Sequence, residues 1–291
     1  MIYKYIVIKK KAKNTYEKIE DKLGLVRVEN KDMQIQIIKI PKKKKEWIKK
    51  QIKKQVKKQN MIVLEKGLQE FQSIIPINNR RKVAIKIFLL EEMIQYIMKK
   101  QGKAQKLETQ DLYFLCKNYQ EKTSQILDYF FNKVRTMNIV TKDLQNFQKY
   151  IQKHKEEEAM HVTIANNYRK SLKRAKWIIN IDVPIEEVKQ YVLNRTGIFI
   201  QLPDEKVVGF VGFEGIIVEN VEVDVSEEIK NKYQSWGIGE EFSMRDLYES
   251  EYEVEKTYIE NKKKMKQEGI KVVKLIGING NITEKELENS K

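Results

Sequence analysis

The chain has 291 residues, with 57 Lys and Arg against 41 Asp and Glu, giving a formal net charge of +16. Its 41% hydrophobic and 9% aromatic residues suffice for a core and argue against disorder of the whole chain, while one Cys excludes a disulfide framework and a Cys-rich zinc site and two His leave little room for a His-built metal centre. No uncharged apolar run reaches about 18 residues, so no membrane span is expected. The first ten residues alternate around Lys4, Lys9 and Lys10, unlike a signal peptide, so a reducing, cytoplasmic setting is the expectation.

The charge is concentrated at the start. Residues 1–60 hold 20 Lys and Arg and 6 Asp and Glu, a net of +14, which leaves about +2 for the rest. The pattern predicts a strand at 2–8, a helix at 14–23 ended by Gly24, and strands at 25–28 and 33–40. A lysine-coated helix follows at 42–59, then a strand at 61–64. Ile48, Ile52 and Val56 recur every four residues beside Trp47, a narrow apolar stripe on that helix. Three readings stay open: the stripe packs on a sheet and the lysines are solvated, the basic 42–58 helix neutralises nucleic-acid phosphates, or it meets anionic lipid or an acidic partner. The Lys and Ile richness also fits an AT-rich genome.

Residues 76–81 read as a joint. A helix is expected at 83–97, with Gly102 as its stop. Strands at 111–116, 137–141, 160–164, 177–181 and 197–202 then alternate with helices at 120–135, 143–158, 168–176 and 184–194, Pro184 opening the last. This rhythm predicts an α/β fold whose centre, residues 111–202, is a doubly wound, mostly parallel, Rossmann-like sheet. The domains read as a basic N-terminal α/β region at 1–78, the sheet with its leading helix at 79–203, and a C-terminal β and helical extension at 204–291. In the extension, 207–218 reads as β with tight turns, 221–225 and 270–276 as strands, 240–268 as mostly helical, and 284–291 as a short helix or frayed end.

Ligands of such sheets sit beyond the carboxyl ends of the strands, at the switch point. That rule selects Lys117, Asn118 and Tyr119 after the first strand, Thr141, Lys142 and Asp143 after the second, Asn166, Asn167, Tyr168 and Arg169 after the third, and Asn180 and Asp182 after the fourth. The Asn and Asp residues also suit helix capping. Lys117, Lys142 and Arg169 beside helix starts favour an anionic, phosphate-bearing small ligand.

Ile139-Val140-Thr141-Lys142, Val162-Thr163-Ile164-Ala165-Asn166-Asn167, and residues 171–176 leading into Trp177-Ile178-Ile179-Asn180 resemble the NAD(P)-binding domain of the shikimate dehydrogenase and glutamyl-tRNA reductase group. The resemblance covers about a third of the chain. It implies a nucleotide cofactor, NAD or NADP, with Lys142 near the adenosine ribose or its 2′-phosphate. The sequence departs from it at one place: the turn Cys116-Lys117-Asn118-Tyr119-Gln120-Glu121-Lys122-Thr123 lacks the G-x-G-x-x-G glycines, so side chains take the space of a pyrophosphate. The glycine motif being absent, the residues alone name no cofactor.

Elsewhere the sequence is bland. Gly209, Gly212 and Gly215 read as turns or bulges, Cys116 as core, and His154 and His161 as structural or surface groups. The runs Glu156-Glu157-Glu158 and Glu249/Glu251/Glu253 read as solvated faces, and Trp236 as packing against a sheet or anchoring a partner. The expected function is a degenerate Rossmann-like protein binding a phosphate-bearing small ligand in a non-catalytic or regulatory role. The alternatives are an NAD(P)-dependent oxidoreductase-like enzyme with an unusual site and a basic nucleic-acid-binding or scaffold protein using residues 1–60. The sequence sets no oligomeric state.

Overall fold

Residues 2–8, 26–30, 33–40, 43–58, 60–80, 84–102, 106–155 and 161–289 are described by a computed structural model. The helix expected at 14–23 and the run 156–158 lie outside them. The chain divides into two compact units, one of Met1–Ile85, Val223–Val254 and Lys266–Ile270, the other of Lys86–Glu222, Glu255–Met265 and Lys271–Lys291.

In the first unit, β1 (Ile2–Ile8), β2 (Val26–Asn30), β3 (Met33–Ile40), α1 (Lys45–Gln55) and β4 (Asn60–Leu64) follow one another. The sheet order is β2-β3-β1-β4; β1 runs parallel to β3 and β4, and β2 antiparallel to β3. Ile48 and Ile52 of α1 are buried against the sheet with Ile6, Ile62, Leu64, Leu68 and Phe71. The apolar stripe is therefore used up inside the unit. The helix is shorter than expected because Val56 turns extended, at φ −70° and ψ 109°.

The second unit contains α2 (Leu90–Lys100), β5 (Asp111–Leu115), α3 (Glu121–Phe130), β6 (Thr136–Val140), α4 (Leu144–Lys155), β7 (His161–Ala165), β8 (Trp177–Asn180), α5 (Ile185–Val188), β9 (Ile198–Gln201) and β10 (Ile216–Val218). Its sheet order is β10-β9-β8-β5-β6-β7, with every neighbouring pair parallel. Counted from its first strand this is 3-2-1-4-5-6, the doubly wound Rossmann order. β8, β9 and β10 are buried along their whole length, as strands covered on both faces must be, while β7 is a partly exposed edge. The Rossmann-like expectation for 111–202 holds, and β10 adds a sixth strand.

Several helices are shorter than their apolar spacing suggests, for local reasons. Residues 85–87 form a 3₁₀ turn before α2. There the buried Lys86 ammonium donates to the carbonyls of Gln201, Pro203 and Glu219 at 3.0, 3.1 and 2.9 Å. α3 stops at Phe130 because Phe131 turns extended, at φ −48° and ψ 137°, and Asn132 after it adopts a left-handed φ of 59°. The helix expected at 168–176 is replaced by turns. The Tyr168 carbonyl accepts the distant Val192 amide at 2.8 Å, and the Leu172 carbonyl is shared between the Asn194 amide at 3.0 Å and a tight-turn bond from Ala175 at 3.1 Å, which favours turns over a regular helix. The helix expected at 184–194 reduces to α5, capped by Pro184.

Beyond β10 come β11 (Asn220–Asp224), α6 (Glu227–Ser235), α7 (Met244–Glu251), α8 (Tyr258–Gln267), β12 (Lys271–Gly277), β13 (Gly280–Asn281) and α9 (Glu284–Asn289). β11, β12 and β13 form a three-stranded sheet. Tyr233, Trp236, Ile238, Phe242 and Leu247 close the second face of the first unit's sheet against Tyr5, Ile35, Met61 and Val63. Trp236 is thus a packing residue. The Glu249 and Glu251 expectation is corrected: Glu249 is buried and accepts the Ile85 amide at 3.0 Å, and Glu251 accepts from the Tyr5 hydroxyl and Lys232. The buried Arg245 guanidinium beside Glu249 makes a carboxylate there tolerable. Among the described residues no helix is long and apolar enough to cross a membrane.

Candidate functional site

Parallel register builds the site. Leu115 stands beside Val140 of β6 and Asn180 of β8, and Val140 beside Ala165 of β7. Two residues further along each strand lie Asn167, Lys142, Lys117 and Asp182. Four of the expected residues therefore share one row across the carboxyl rim. β5 and β8 are the pair at which the strand order reverses, so Lys117 and Asp182 face each other at the switch point.

A cavity of about 610 Å³ opens there, between Lys117, Asn118 and Tyr119 on one side and Lys142, Asp143 and Glu187 on the other. This is the volume range of small-ligand sites. Cys116, Asn146, Val183 and Tyr191 complete its wall.

Carboxylates already occupy the rim's donors. Asp182 accepts the Lys117 amide at 2.6 Å, and a backbone hydrogen bond from Asn118 reaches it as well. Asp143 accepts the Tyr119 amide at 3.1 Å and two bonds from the Asn146 side chain at 2.9 and 3.1 Å. Glu187 is gripped by two ammonium groups, Lys142 at 3.0 Å and Lys117 at 3.4 Å. The Lys142 hydrogen bond, reinforced by Lys117, holds the Glu187 carboxyl below its ordinary range. Hydrogen bonds to the Tyr168 hydroxyl and then to Glu187 push the Lys142 ammonium up. Burial raises Asp182 against the pull of its two amides and of Lys117 and Lys122.

The other expected residues act differently. Asn180 is fully buried and its amide is spent: it donates to Val183 O at 2.7 Å and Gln201 Oε1 at 2.8 Å and accepts from the Val183 amide at 2.9 Å. It shapes the β8–α5 turn from inside and does not face the cavity. Thr141 is buried, its hydroxyl accepting the Asp143 amide at 3.0 Å. Asn167 accepts the Arg169 and Lys170 amides at 2.9 and 3.0 Å, a local turn on the edge strand's side. Asn166 and Arg169 are exposed there, and none of the three lines the cavity. Cys116 is buried, and burial pushes its thiol well up, so it is core. His154 contacts Asp128 at 3.3 Å and packs on Tyr150 and Phe131, while His161 is exposed on β7. Among the described residues no group of His, Cys, Asp or Glu is arranged to hold a metal.

Glu187 and Tyr191 are the lining residues that rim counting leaves out, while Asp143, counted after the second strand, lines the cavity. Glu187 had a signal: Pro184-Ile185-Glu186-Glu187 places an acid in a first helical turn just past the fourth strand, pointing back at the rim.

A dinucleotide's pyrophosphate fits poorly here. The amides that a glycine turn aims at phosphate are, at Lys117 and Asn118, already bonded to Asp182. Comparison with protein-family models and with curated proteins finds no match to this chain.

Proposed function

We propose that the chain is a Rossmann-like binding protein, non-catalytic or regulatory, whose carboxyl rim takes a small phosphate-bearing ligand of nucleoside-monophosphate size. The observation that carries this reading is the convergence of the Lys117 and Lys142 ammonium groups on one anion, the Glu187 carboxylate, at the mouth of the switch-point cavity. A ligand phosphate replaces that carboxylate between the same two cations. Asp143, just past the second strand, supports a ribose hydroxyl as the next contact, since an acid in this region serves that purpose in Rossmann sites. Resemblance to the shikimate dehydrogenase and glutamyl-tRNA reductase group, at Thr141-Lys142 and in the strand order, favours a nucleotide over a bare anion. The occupied amides of Lys117 and Asn118 argue against NAD or NADP bound in the ordinary way. The buried, raised Cys116 thiol is not favoured as a nucleophile.

The test is thermal melting against adenosine, AMP, inorganic phosphate, NAD and NADP. A ligand at a hundred times its Kd adds ~2.7 kcal/mol of stability. AMP is expected to raise Tm, adenosine not, and the dinucleotides no more than AMP. A flat response to the whole panel overturns the proposal.

A further inference from the structure

We propose that the outward face of α1 is a sequence-independent docking surface for nucleic-acid backbone. Residues 43–58 carry nine lysines and one acid, Glu46, and no arginine. The helix presents Lys50, Lys53 and Lys54 on the side opposite Ile48 and Ile52, which are buried in the first unit's core. Lys43, Lys44, Lys57 and Lys58 extend this exposed cationic band beyond both ends of the helix. Among the described residues, the ion pairs made from this stretch are Lys45 with Glu70 and, at 4.0 Å, Lys49 with Glu46. Lys50, Lys53, Lys54 and Lys58 have no carboxylate partner there.

Burial of the stripe decides between partners. A helix that lies on lipid inserts its apolar side, and here that side is packed on the sheet. What remains outward is mostly lysine, with Trp47, Gln51 and Gln55 half-buried at its margins. From Lys43 to Lys57 the band is about 20 Å long at helical rise, the length of roughly six phosphates of one duplex strand. Lysines neutralise phosphates as point charges, whereas base reading relies on planar, bidentate groups. The all-lysine band therefore fits backbone without sequence preference.

The experiment is fluorescence anisotropy of the full chain with a labelled random 20-base-pair duplex, titrated in salt. Binding at 50 mM salt is expected, with log K falling against log salt at a slope of about −4 to −5 for roughly five contacts. Lys50→Glu/Lys53→Glu/Lys54→Glu is expected to weaken it at least tenfold, and the neutral Lys50→Gln/Lys53→Gln/Lys54→Gln by a smaller factor, both with unchanged circular dichroism and Tm. No binding at 50 mM salt, a salt-independent K, or unchanged affinity in both variants overturns the proposal. So does equal competition by polyglutamate at matched charge, which assigns the face to acidic polypeptides, or binding to phosphatidylserine vesicles without nucleic-acid binding. Lys117 and Lys142 are untouched in these variants, so the AMP response stays separate.

Discussion

The Asp182 carboxylate accepts the Lys117 backbone amide at 2.6 Å, across the point where the sheet order reverses. In a glycine-turn Rossmann site this is phosphate territory. An internal acid in that position keeps the β5–α3 turn bonded without ligand. It leaves the side-chain ammonium groups, not the backbone amides, as the rim's means of holding an anion.

The two rim acids titrate in opposite senses. Asp182 is raised from 3.8, chiefly by burial, so the folded state holds its proton more tightly than the unfolded chain. Its contribution to stability is greatest below pH 3.8 and falls as pH rises through the raised value. Glu187 is lowered from 4.5, first by Lys142. Its contribution is complete above pH 4.5 and is lost as pH falls through the lowered value. Carboxyl carbon NMR titration is expected to place Asp182 above 3.8 and Glu187 below 4.5. Lys142→Gln is expected to bring Glu187 back toward its ordinary value.

Asn180→Ala removes a buried amide that serves the Val183 amide and carbonyl and Gln201. Leaving such groups unpaired costs about 1–3 kcal/mol. Urea denaturation is expected to show that loss with an unchanged m-value. A neutral result contradicts the role assigned to Asn180 in the β8–α5 turn.

Lys86→Met leaves the carbonyls of Gln201, Pro203 and Glu219 without their shared donor. A loss of about 3 kcal/mol is expected, the scale of a buried charge-assisted bond. Differential scanning calorimetry reads it as a lowered Tm.

Gly215→Ala is expected to be severe. A Cβ there stands 1.9 Å from the Gly197 carbonyl oxygen, where β9 and β10 begin side by side. Backbone on both sides leaves little to yield, so a loss of at least ~2 kcal/mol is expected, read from urea midpoints.

The parallel sheet was legible because its strands are short apolar runs separated by amphipathic stretches, as Leu112–Leu115 and Ile178–Ile179 illustrate. The rim followed, since parallel register carries Lys117, Lys142 and Asp182 into one row. Helix ends did not follow, because long-range bonds set them: the Val192 amide takes the Tyr168 carbonyl from 24 residues away in sequence. Glu249 misled for the same reason, its burial being fixed by Arg245 and the distant Ile85 amide. Asn180 was rightly placed at a strand end, yet which way its amide turned depended on Gln201 of the neighbouring strand.

In the proposed function Lys117 and Lys142 form an anion seat now held by Glu187. Isothermal titration of AMP into the unaltered chain, Glu187→Gln, and Lys117→Glu/Lys142→Glu tests it most directly. Binding is expected to tighten about tenfold, ~1.4 kcal/mol, when Glu187 is neutralised, and to disappear in the double lysine variant. Affinity unaffected by either change, or absent from both the unaltered chain and Glu187→Gln, would contradict it.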